Sequence, residues 1–180
     1  MKFNILDCYK KHWNLLEDEK VQLDKEIYEN FVDKVSSLNI DKYLLVYWPQ
    51  ENEPDTKKII EYLLNNNQKV CLLHVDANKH VSYIAIESLD FKYDYFWNIK
   101  MPKPKLHKHI ISDEIGCVVL PAIAYNNKNE IAIYPSNHIF LSYLQQNPHV
   151  ITISLAYKFS NYNDIDFGKK TRVNIVIHNN

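Results

Sequence analysis

Two residue types that many phosphate sites need are almost missing from this sequence. Glycine occurs only at Gly116 and Gly168, which excludes a glycine-rich phosphate loop. Arg172 is the single arginine among 21 Lys and Arg residues, so the bidentate grip of a guanidinium on phosphate or carboxylate is almost unavailable. The chain therefore lacks two of the usual means of binding a phosphorylated ligand.

Long apolar runs and an excess of charge of one sign are also absent. No apolar run approaches the roughly 20 residues of a spanning helix, and the first residues lack the pattern of a signal peptide. A net charge of -1 gives no overall footprint for nucleic acid or an anionic membrane. We expect a soluble, cytoplasmic, single domain over residues 1–180, with no nucleic-acid or membrane partner and with its oligomeric state open.

The cysteines and histidines show no metal-binding spacing. The 3 cysteines form no CxxC pair, and two of them, Cys71 and Cys117, lie in apolar runs that predict buried thiols. His107 and His109 are close in sequence but have no acidic or thiol ligand at useful spacing. No metal ligand is therefore assigned.

Hydrophobic periodicity predicts an α/β fold. Apolar residues recur every three or four positions over residues 16–35, which predicts an amphipathic helix. Asp55 or Thr56 is placed to cap a helix ending near residue 64, and Ser136 or Asn137 to cap a helix over residues 138–146. Strands are predicted at 43–48, 69–75, 80–87, 117–120 (ended by Pro121), 150–155 and 173–178. This alternation predicts three layers, with a mostly parallel twisted sheet and helices on both of its faces.

The stretch over residues 88–114 is less regular and rich in aromatic and basic residues. Basic residues interleaved with aromatic rings are typical of platforms for single-stranded nucleic acid. A long loop that packs its rings onto the core is the alternative, and the near-neutral charge favours it.

Five segments share their order and spacing with the motifs of one enzyme family. They are residues 47–56 (YWPQENEPDT), 98–102 (NIKMP), 119–126 (VLPAIAYN), 154–157 (SLAY) and 172–177 (RVNIVI). They resemble the ExDT, GIxEP, VPGLAFD, GLAY and PVDxIV motifs of the 5-formyltetrahydrofolate cyclo-ligases, or 5,10-methenyltetrahydrofolate synthetases. The resemblance implies a cyclo-ligase-like α/β fold and a role in folate one-carbon metabolism. It also implies ATP and Mg²⁺ as cofactors and conversion of 5-formyltetrahydrofolate to 5,10-methenyltetrahydrofolate.

The phosphate loop of that family, RLGxGxGYYDR, aligns without gaps with residues 131–141 (IAIYPSNHIFL). Its Arg and Asp become Ile131 and Phe140, and Pro135 replaces one of its glycines. Proline removes a backbone N–H that a phosphate cradle needs, and phenylalanine offers Mg²⁺ no oxygen ligand. These replacements argue against conventional ATP-dependent activity.

The resemblance implies folate contacts on the better-preserved segments. Glu53 matches the family glutamate that faces the pterin, and a carboxylate can accept paired N–H donors from an aminopyrimidinone ring. Trp48, Trp97 and Tyr157 are candidates for stacking on the ligand. The alternative is that Glu53 only favours a helix N-terminus and that the rings fill the core.

Candidates for phosphate contact are weaker. Lys10 and Lys11 approximate the N-terminal basic pattern of the family, and Ser136 and Asn137 stand before a helix. Capping is the simpler explanation for the last two. No catalytic residue is assigned.

Three hypotheses about function stay open. The first is an active cyclo-ligase, and the second is a catalytically lapsed relative that binds a folate, another small molecule or a protein partner. The third is an enzyme of different chemistry that reuses the cleft, with His138 and lysines as its candidate residues.

Overall fold

The computed structural model describes residues 4–96, 99–134, 138–167 and 172–180. Within these ranges the helices are α1 (Ile5–Trp13), α2 (Glu17–Val35), α3 (Lys57–Asn65) and α4 (His138–Gln146). The strands are β1 (Tyr43–Val46), β2 (Val70–Val75), β3 (Val81–Ile86), β4 (Tyr93–Phe96), β5 (Ile99–Pro102), β6 (His109–Ile110), β7 (Ile115–Tyr125), β8 (Ile131–Ile133), β9 (Ile151–Ala156) and β10 (Ile175–His178). None of the helices in these ranges is long and apolar enough to cross a membrane.

A mixed sheet of eight strands forms the centre of the fold. Its order is β10-β9-β7-β1-β2-β3-β6, and β8 pairs with β7 beside this path. The five strands from β10 to β2 are parallel, whereas β3, β6 and β8 pair antiparallel with their neighbours. All five parallel strands are among those that the sequence predicts, and three of them, β1, β2 and β7, come from apolar runs typical of strands covered on both faces.

The crossovers that follow β1 and β7 run in opposite directions along the sheet. From β1 the chain crosses through α3 to β2 on one side, whereas β7, on the other side of β1, continues through α4 to β9. Since such crossovers are right-handed, opposite directions place α3 and α4 on opposite faces of the sheet. The three-layer α/β fold that the sequence predicts is confirmed. The reversal between β1 and β7 also creates a switch point, where α/β folds commonly bind ligands beyond the carboxyl ends of the strands.

Strand β7 is longer than the sequence predicts, and the prediction that Pro121 ends it is wrong. Pairing with β1 reaches Val119, pairing with β8 begins at Ala122, and Pro121 itself lies opposite Leu155 of β9. Along one edge of β7, Pro121 therefore lies between the residues that pair with β1 and those that pair with β8. Because neither partner needs an N–H at this point, proline removes no hydrogen bond along that edge.

The predicted ends of α3 are close to the observed ones. The carboxylate of Asp55 accepts a hydrogen bond of 2.8 Å from the backbone N–H of Lys57, as a cap does. Thr56 makes no side-chain cap bond, because its hydroxyl donates to the carbonyl of Tyr47. Beyond the helix, Asn67 has a φ of 57°, a left-handed conformation that asparagine tolerates and that ends the helix.

The aromatic stretch forms a hairpin where the sequence predicts a long loop. Strands β4 and β5 pair antiparallel, and the hairpin packs against the carboxyl end of β2. There the backbone N–H of Val75 contacts the sulfur of Met101 at 3.3 Å, and a ring nitrogen of His74 lies 3.1 Å from the carbonyl oxygen of Pro102. The hairpin thus stands at the same edge of the sheet as the loop after β1.

Candidate functional site

A cavity of about 640 Å³ opens beyond the carboxyl end of β1. The loop that follows β1 forms one wall, and the end of α1 and the start of α2 form the other. Its lining residues are His12, Trp13, Leu15, Glu17, Lys20, Val21, Asp24, Pro49, Gln50, Glu51, Asn52, Asp55 and Lys57. This is the edge of the sheet, next to the switch point, at which the topology favours a ligand site.

The loop after β1 is held in shape by its own hydrogen bonds. The hydroxyl of Tyr47 donates to the carbonyl of Pro54 at 2.7 Å, and that of Thr56 donates to the carbonyl of Tyr47 at 2.8 Å. The backbone N–H of Gln50 donates to Oε2 of Glu53 at 3.0 Å. These contacts fix the loop residues that line the cavity.

Glu53, the predicted pterin contact, lies beneath this loop. Its side chain is only 1% exposed and does not line the cavity. Burial raises the pKa of Tyr134 above its usual range, and the negative charge of Glu53 adds to the shift. The structure therefore gives Glu53 a part in shaping the loop, and folate contact by Glu53 stays a prediction.

Asp24 of α2 is the most connected carboxylate of the cavity. Its Oδ2 pairs with the ammonium of Lys20 at 2.5 Å, and its Oδ1 accepts hydrogen bonds from the hydroxyl of Tyr157 and from the backbone N–H of Asp55. Burial raises the pKa of Asp24, and the hydrogen bond from Lys20 opposes that shift. Asp24 thereby ties α2 to the loop after β1 and to the end of β9.

His12 of α1 lies at the back of the cavity in a buried polar network. Its Nε2 is 2.7 Å from Oγ of Ser160, and its Nδ1 is 2.5 Å from the hydroxyl of Tyr134. The hydroxyl of Tyr134 also donates to the carbonyl of Asn52 at 2.9 Å. All of these bonds can form together when Nδ1 carries the proton, Ser160 donates to Nε2 and Tyr134 donates to Asn52.

Burial lowers the pKa of His12 to about 4, although hydrogen bonds to backbone carbonyls act in the opposite direction. The imidazole is therefore neutral at pH 7. Both of its nitrogens have protein partners, so His12 anchors α1 to the sheet edge and has no ring nitrogen left for a ligand.

Carboxylates outnumber ammonium groups around the cavity. Among the described lining residues there are four carboxylates (Glu17, Asp24, Glu51 and Asp55) and two lysines (Lys20 and Lys57). Each lysine already pairs with a carboxylate, Lys20 with Asp24 and Lys57 with Asp55 at 3.7 Å. The cavity thus suits a neutral or cationic ring with N–H donors better than a triphosphate.

The structure separates the predicted aromatic contacts. Trp48 is half-buried beside the cavity and packs edge-on against Phe91, with ring centroids 5.2 Å apart. The ammonium of Lys100 lies 4.7 Å from the centroid of the Trp48 ring. Tyr157 is fully buried beneath the cavity, and Trp97 is outside the described residues. Stacking of Trp48, Trp97 or Tyr157 on a ligand stays a prediction.

The predicted phosphate contacts do not form one cluster in the described part of the chain. Lys10 is exposed, 4.0 Å from the carboxylate of Asp7, and Lys11 donates to the hydroxyl of Tyr162 at 3.3 Å. Neither lysine lines the cavity. Ser136 and Asn137 lie outside the described residues, so their phosphate contact stays a prediction.

The segment that aligns with the family's phosphate loop contributes to the core. Ile131, in the place of the loop Arg, is 0% exposed, and Phe140, in the place of the Asp, is 2% exposed. Ile133, which replaces a glycine, is also buried. Among the described residues no three His, Cys, Asp or Glu side chains are grouped to hold a metal ion. The residues at these positions do not fit Mg²⁺ or a nucleotide phosphate.

Sequence reasoning missed the polar network under the cavity. His12, Tyr134 and Ser160 come from distant parts of the chain, and none lies in a recognisable motif. Helix α1 was not predicted either, although Asn4 caps it and lysines occupy its last turn. That capping residue, followed by the basic last turn, is the one signal that could have indicated the helix.

Two solved structures of similar fold are both 5,10-methenyltetrahydrofolate synthetases. A 5,10-methenyltetrahydrofolate synthetase from Mycoplasma pneumoniae superposes with a TM-score of 0.73 at 18% identity, over 98% of this chain and 96% of that one. The Aquifex aeolicus 5,10-methenyltetrahydrofolate synthetase gives a TM-score of 0.75 at 16% identity, over 96% and 86%. No protein-family model and no curated protein sequence matches this chain. The likeness predicted from five short segments is thus confirmed in three dimensions, and the chain has the fold of the 5,10-methenyltetrahydrofolate synthetases.

Proposed function

We propose that this protein binds a reduced folate of the 5-formyltetrahydrofolate class in the cavity beyond β1, without closing the ring at the expense of ATP. The fold shared with two synthetases supports a folate ligand. The observation that supports the absence of ATP-dependent ring closure is the burial of Ile131 and Phe140. These residues stand at the positions of the Arg and the Asp of the family's phosphate loop, and here they belong to the core. It is thus a cyclo-ligase-like protein in which core residues replace the part of the site that binds the nucleotide in the family, here called the nucleotide half.

The charge of the cavity supports recognition of an aminopyrimidinone ring. Such a ring presents adjacent N–H donors, which a carboxylate accepts in a paired geometry. Asp55 is the best-placed acceptor. Its Oδ1 takes the backbone N–H of Lys57, and among the described residues its Oδ2 contacts the Lys57 ammonium alone, at 3.7 Å. Glu53 is the second candidate, and it would require the loop over residues 50–53 to move.

The same charges oppose a nucleotide triphosphate. A triphosphate needs several cations or free backbone N–H groups around it, because its charge must be neutralised. Lys20 and Lys57 are already paired, and Glu17 and Glu51 add negative charge to the wall. ATP in this cavity would lie beside Glu17 and Glu51, and both lysines of the described cavity wall are already paired with other carboxylates.

The test combines calorimetry with a turnover assay on the purified protein. 5-Formyltetrahydrofolate and Mg·ATP are titrated separately, and formation of the methenyl chromophore is followed with both present. We expect folate binding, no ATP binding and no chromophore. Asp55→Asn should weaken folate binding by about tenfold, since a hydrogen bond to a charged group contributes roughly 1.5 kcal/mol or more. Glu29→Gln, an exposed carboxylate of α2 outside the cavity, is the matched control.

The outcomes separate the hypotheses. Turnover with Mg·ATP would contradict the proposal and restore the active cyclo-ligase, with a phosphate site built from other residues. Absence of folate binding in wild-type protein would also contradict it. Equal loss of affinity in Asp55→Asn and Glu29→Gln would place the ligand outside the cavity.

A further inference from the structure

A second cavity, of about 480 Å³, lies between α4 and the segment that leads into β10. Aliphatic side chains form much of its wall, among them Leu141, Leu144, Val150 and Val173. Arg172, the single arginine of the chain, lines it as well, and none of the other lining residues that the structure describes carries a charge. None of its lining residues is shared with the cavity beyond β1.

The guanidinium of Arg172 uses only part of its hydrogen-bonding capacity. Its Nη2 lies 3.2 Å from Oε1 of Glu130, whose side chain is 3% exposed, while the side chain of Arg172 is 49% exposed. The other oxygen of Glu130 accepts from the side-chain amide of Asn126 at 2.8 Å, so Glu130 does not grip the guanidinium with both oxygens. A guanidinium has five N–H donors in a planar fork, and the described residues give the rest of this fork no carboxylate partner.

The backbone around Arg172 is well supported. Arg172 and Glu130 form an antiparallel bridge, and the N–H of Val173 donates to the carbonyl of Asn129 at 2.9 Å. Next to it, Oδ1 of Asn174 accepts hydrogen bonds from the backbone N–H and the hydroxyl of Thr152. The buried Glu130 and this framework therefore orient the guanidinium from behind and leave its exposed part at the cavity.

The residue type is informative in a chain so rich in lysine. A lysine could neutralise Glu130 as a point charge, whereas the planar fork of arginine can hold Glu130 on one side and meet a second planar anion in a bidentate geometry on another. We infer that this cavity is a second ligand site, which takes a monocarboxylate with an aliphatic body. The fork of Arg172 binds the carboxylate, and the aliphatic wall covers the body of the ligand. A phosphate monoester fits less well, because it brings up to two negative charges to a guanidinium that already faces Glu130, whereas a monocarboxylate brings one.

Octanoate is the probe, with 1-octanol as the uncharged ligand of the same chain length. Binding is measured by calorimetry and located by methyl chemical shifts of Leu141, Leu144 and Val150 in the full-length protein. Octanoate is expected to shift these methyl signals and 1-octanol to bind more weakly. Arg172→Lys should reduce octanoate affinity by about tenfold, because it keeps the charge but loses the fork.

Two further variants keep the test independent of the Arg172–Glu130 pair. Leu144→Phe fills the cavity without altering the pair and should abolish the octanoate shifts while the protein stays folded. Lys34→Gln removes an exposed positive charge at the end of α2 and should leave binding unchanged. The inference is overturned if wild-type protein does not bind octanoate, if Arg172→Lys binds it equally well, or if the shifts survive Leu144→Phe.

Discussion

The hydroxyl of Tyr157 donates a hydrogen bond of 2.9 Å to Oδ1 of Asp24, across 133 positions of sequence. Tyr157 follows β9 and Asp24 lies in α2, so this bond joins the end of a central strand to the helix that borders the cavity. Asp24 is largely buried, and its burial raises its pKa. The carboxylate therefore depends on its donors to remain ionised.

Removing this donor should cost stability. Tyr157→Phe leaves a buried carboxylate with one partner fewer, and we expect the free energy of unfolding to fall by about 1–3 kcal/mol in urea titrations. Tyr125→Phe is the matched control. The hydroxyl of Tyr125 is buried without a hydrogen bond of ordinary geometry in the described part of the structure, so its removal should change stability little. Equal losses in the two variants would contradict the proposed role of the Tyr157–Asp24 bond.

His12 should make the protein sensitive to mild acid. Its pKa is about 4 in the folded protein and 6.5 when unperturbed, so between these values the unfolded chain binds a proton that the folded protein does not. The free energy of unfolding therefore falls as the pH decreases through this window, by about 3 kcal/mol for this group between pH 7 and pH 4. Asp24, with its raised pKa, acts in the opposite direction and does not explain such a loss.

The measurement compares wild-type protein with two histidine variants by urea unfolding at pH 7 and pH 4. His12→Gln should be less stable at pH 7, and its deficit relative to wild type should shrink at pH 4. His149→Gln replaces an exposed histidine that takes part in no ion pair among the described residues, and it should keep the wild-type loss on acidification. A deficit of His12→Gln that stays constant with pH would show that His12 is not held neutral.

The parallel strands could be predicted because their sequence pattern reports burial directly. Continuous apolar runs such as that of β1 need no knowledge of partners, and β7 went wrong only because Pro121 lies where the strand changes neighbours. The hairpin β4–β5 was missed for the opposite reason. Tyr93 and Tyr95 of β4 are exposed, so they show no buried face, and pairing alone makes this segment a strand.

The candidate site was less predictable than the fold. The motif around Glu53 lies on the loop whose residues Gln50, Glu51, Asn52 and Asp55 line the cavity. It did not show that Glu53 itself turns beneath that loop. The network around His12 joins residues more than 100 positions apart, and no local pattern encodes such contacts.

Lys100 should hold the β4–β5 hairpin against the core. Its ammonium lies 4.7, 4.5 and 4.3 Å from the ring centroids of Trp48, Phe91 and Tyr93, a cation enclosed by three aromatic faces. Lys100→Met keeps the length of the side chain and removes about 0.5–2 kcal/mol of cation–π attraction. We expect faster amide hydrogen exchange in β4 and β5, whereas Lys105→Met, an exposed lysine nearby, should have no effect. Unchanged exchange in Lys100→Met would show that the hairpin is held by other contacts.

The thiols of Cys71 and Cys117 should be unreactive in the folded protein. Both are fully buried, and burial raises the pKa of Cys117 to about 12 and that of Cys71 further. Iodoacetamide at pH 8 should leave both unlabelled until urea unfolds the chain, as peptide mass spectrometry would show. If either cysteine in the folded protein were labelled as fast as an exposed cysteine, that thiol would be accessible as a thiolate, which would contradict its role as a core residue.

Substitution of Phe140 tests whether this position belongs to the core or to a phosphate loop that still binds a ligand. If the segment over residues 131–141 still bound a nucleotide phosphate or Mg²⁺, truncating Phe140 would alter ATP binding and leave stability intact. Because its side chain is almost fully buried, we instead expect Phe140→Ala to lower the free energy of unfolding by about 3–5 kcal/mol. His138→Ala, at an exposed position of the same helix, should cost far less. Folate affinity under conditions where Phe140→Ala remains folded should equal that of wild type, since the cavity beyond β1 does not include this residue. A stable Phe140→Ala variant with altered folate or ATP binding would mean that the loop position has kept its ligand and that the proposed loss of the nucleotide half is wrong.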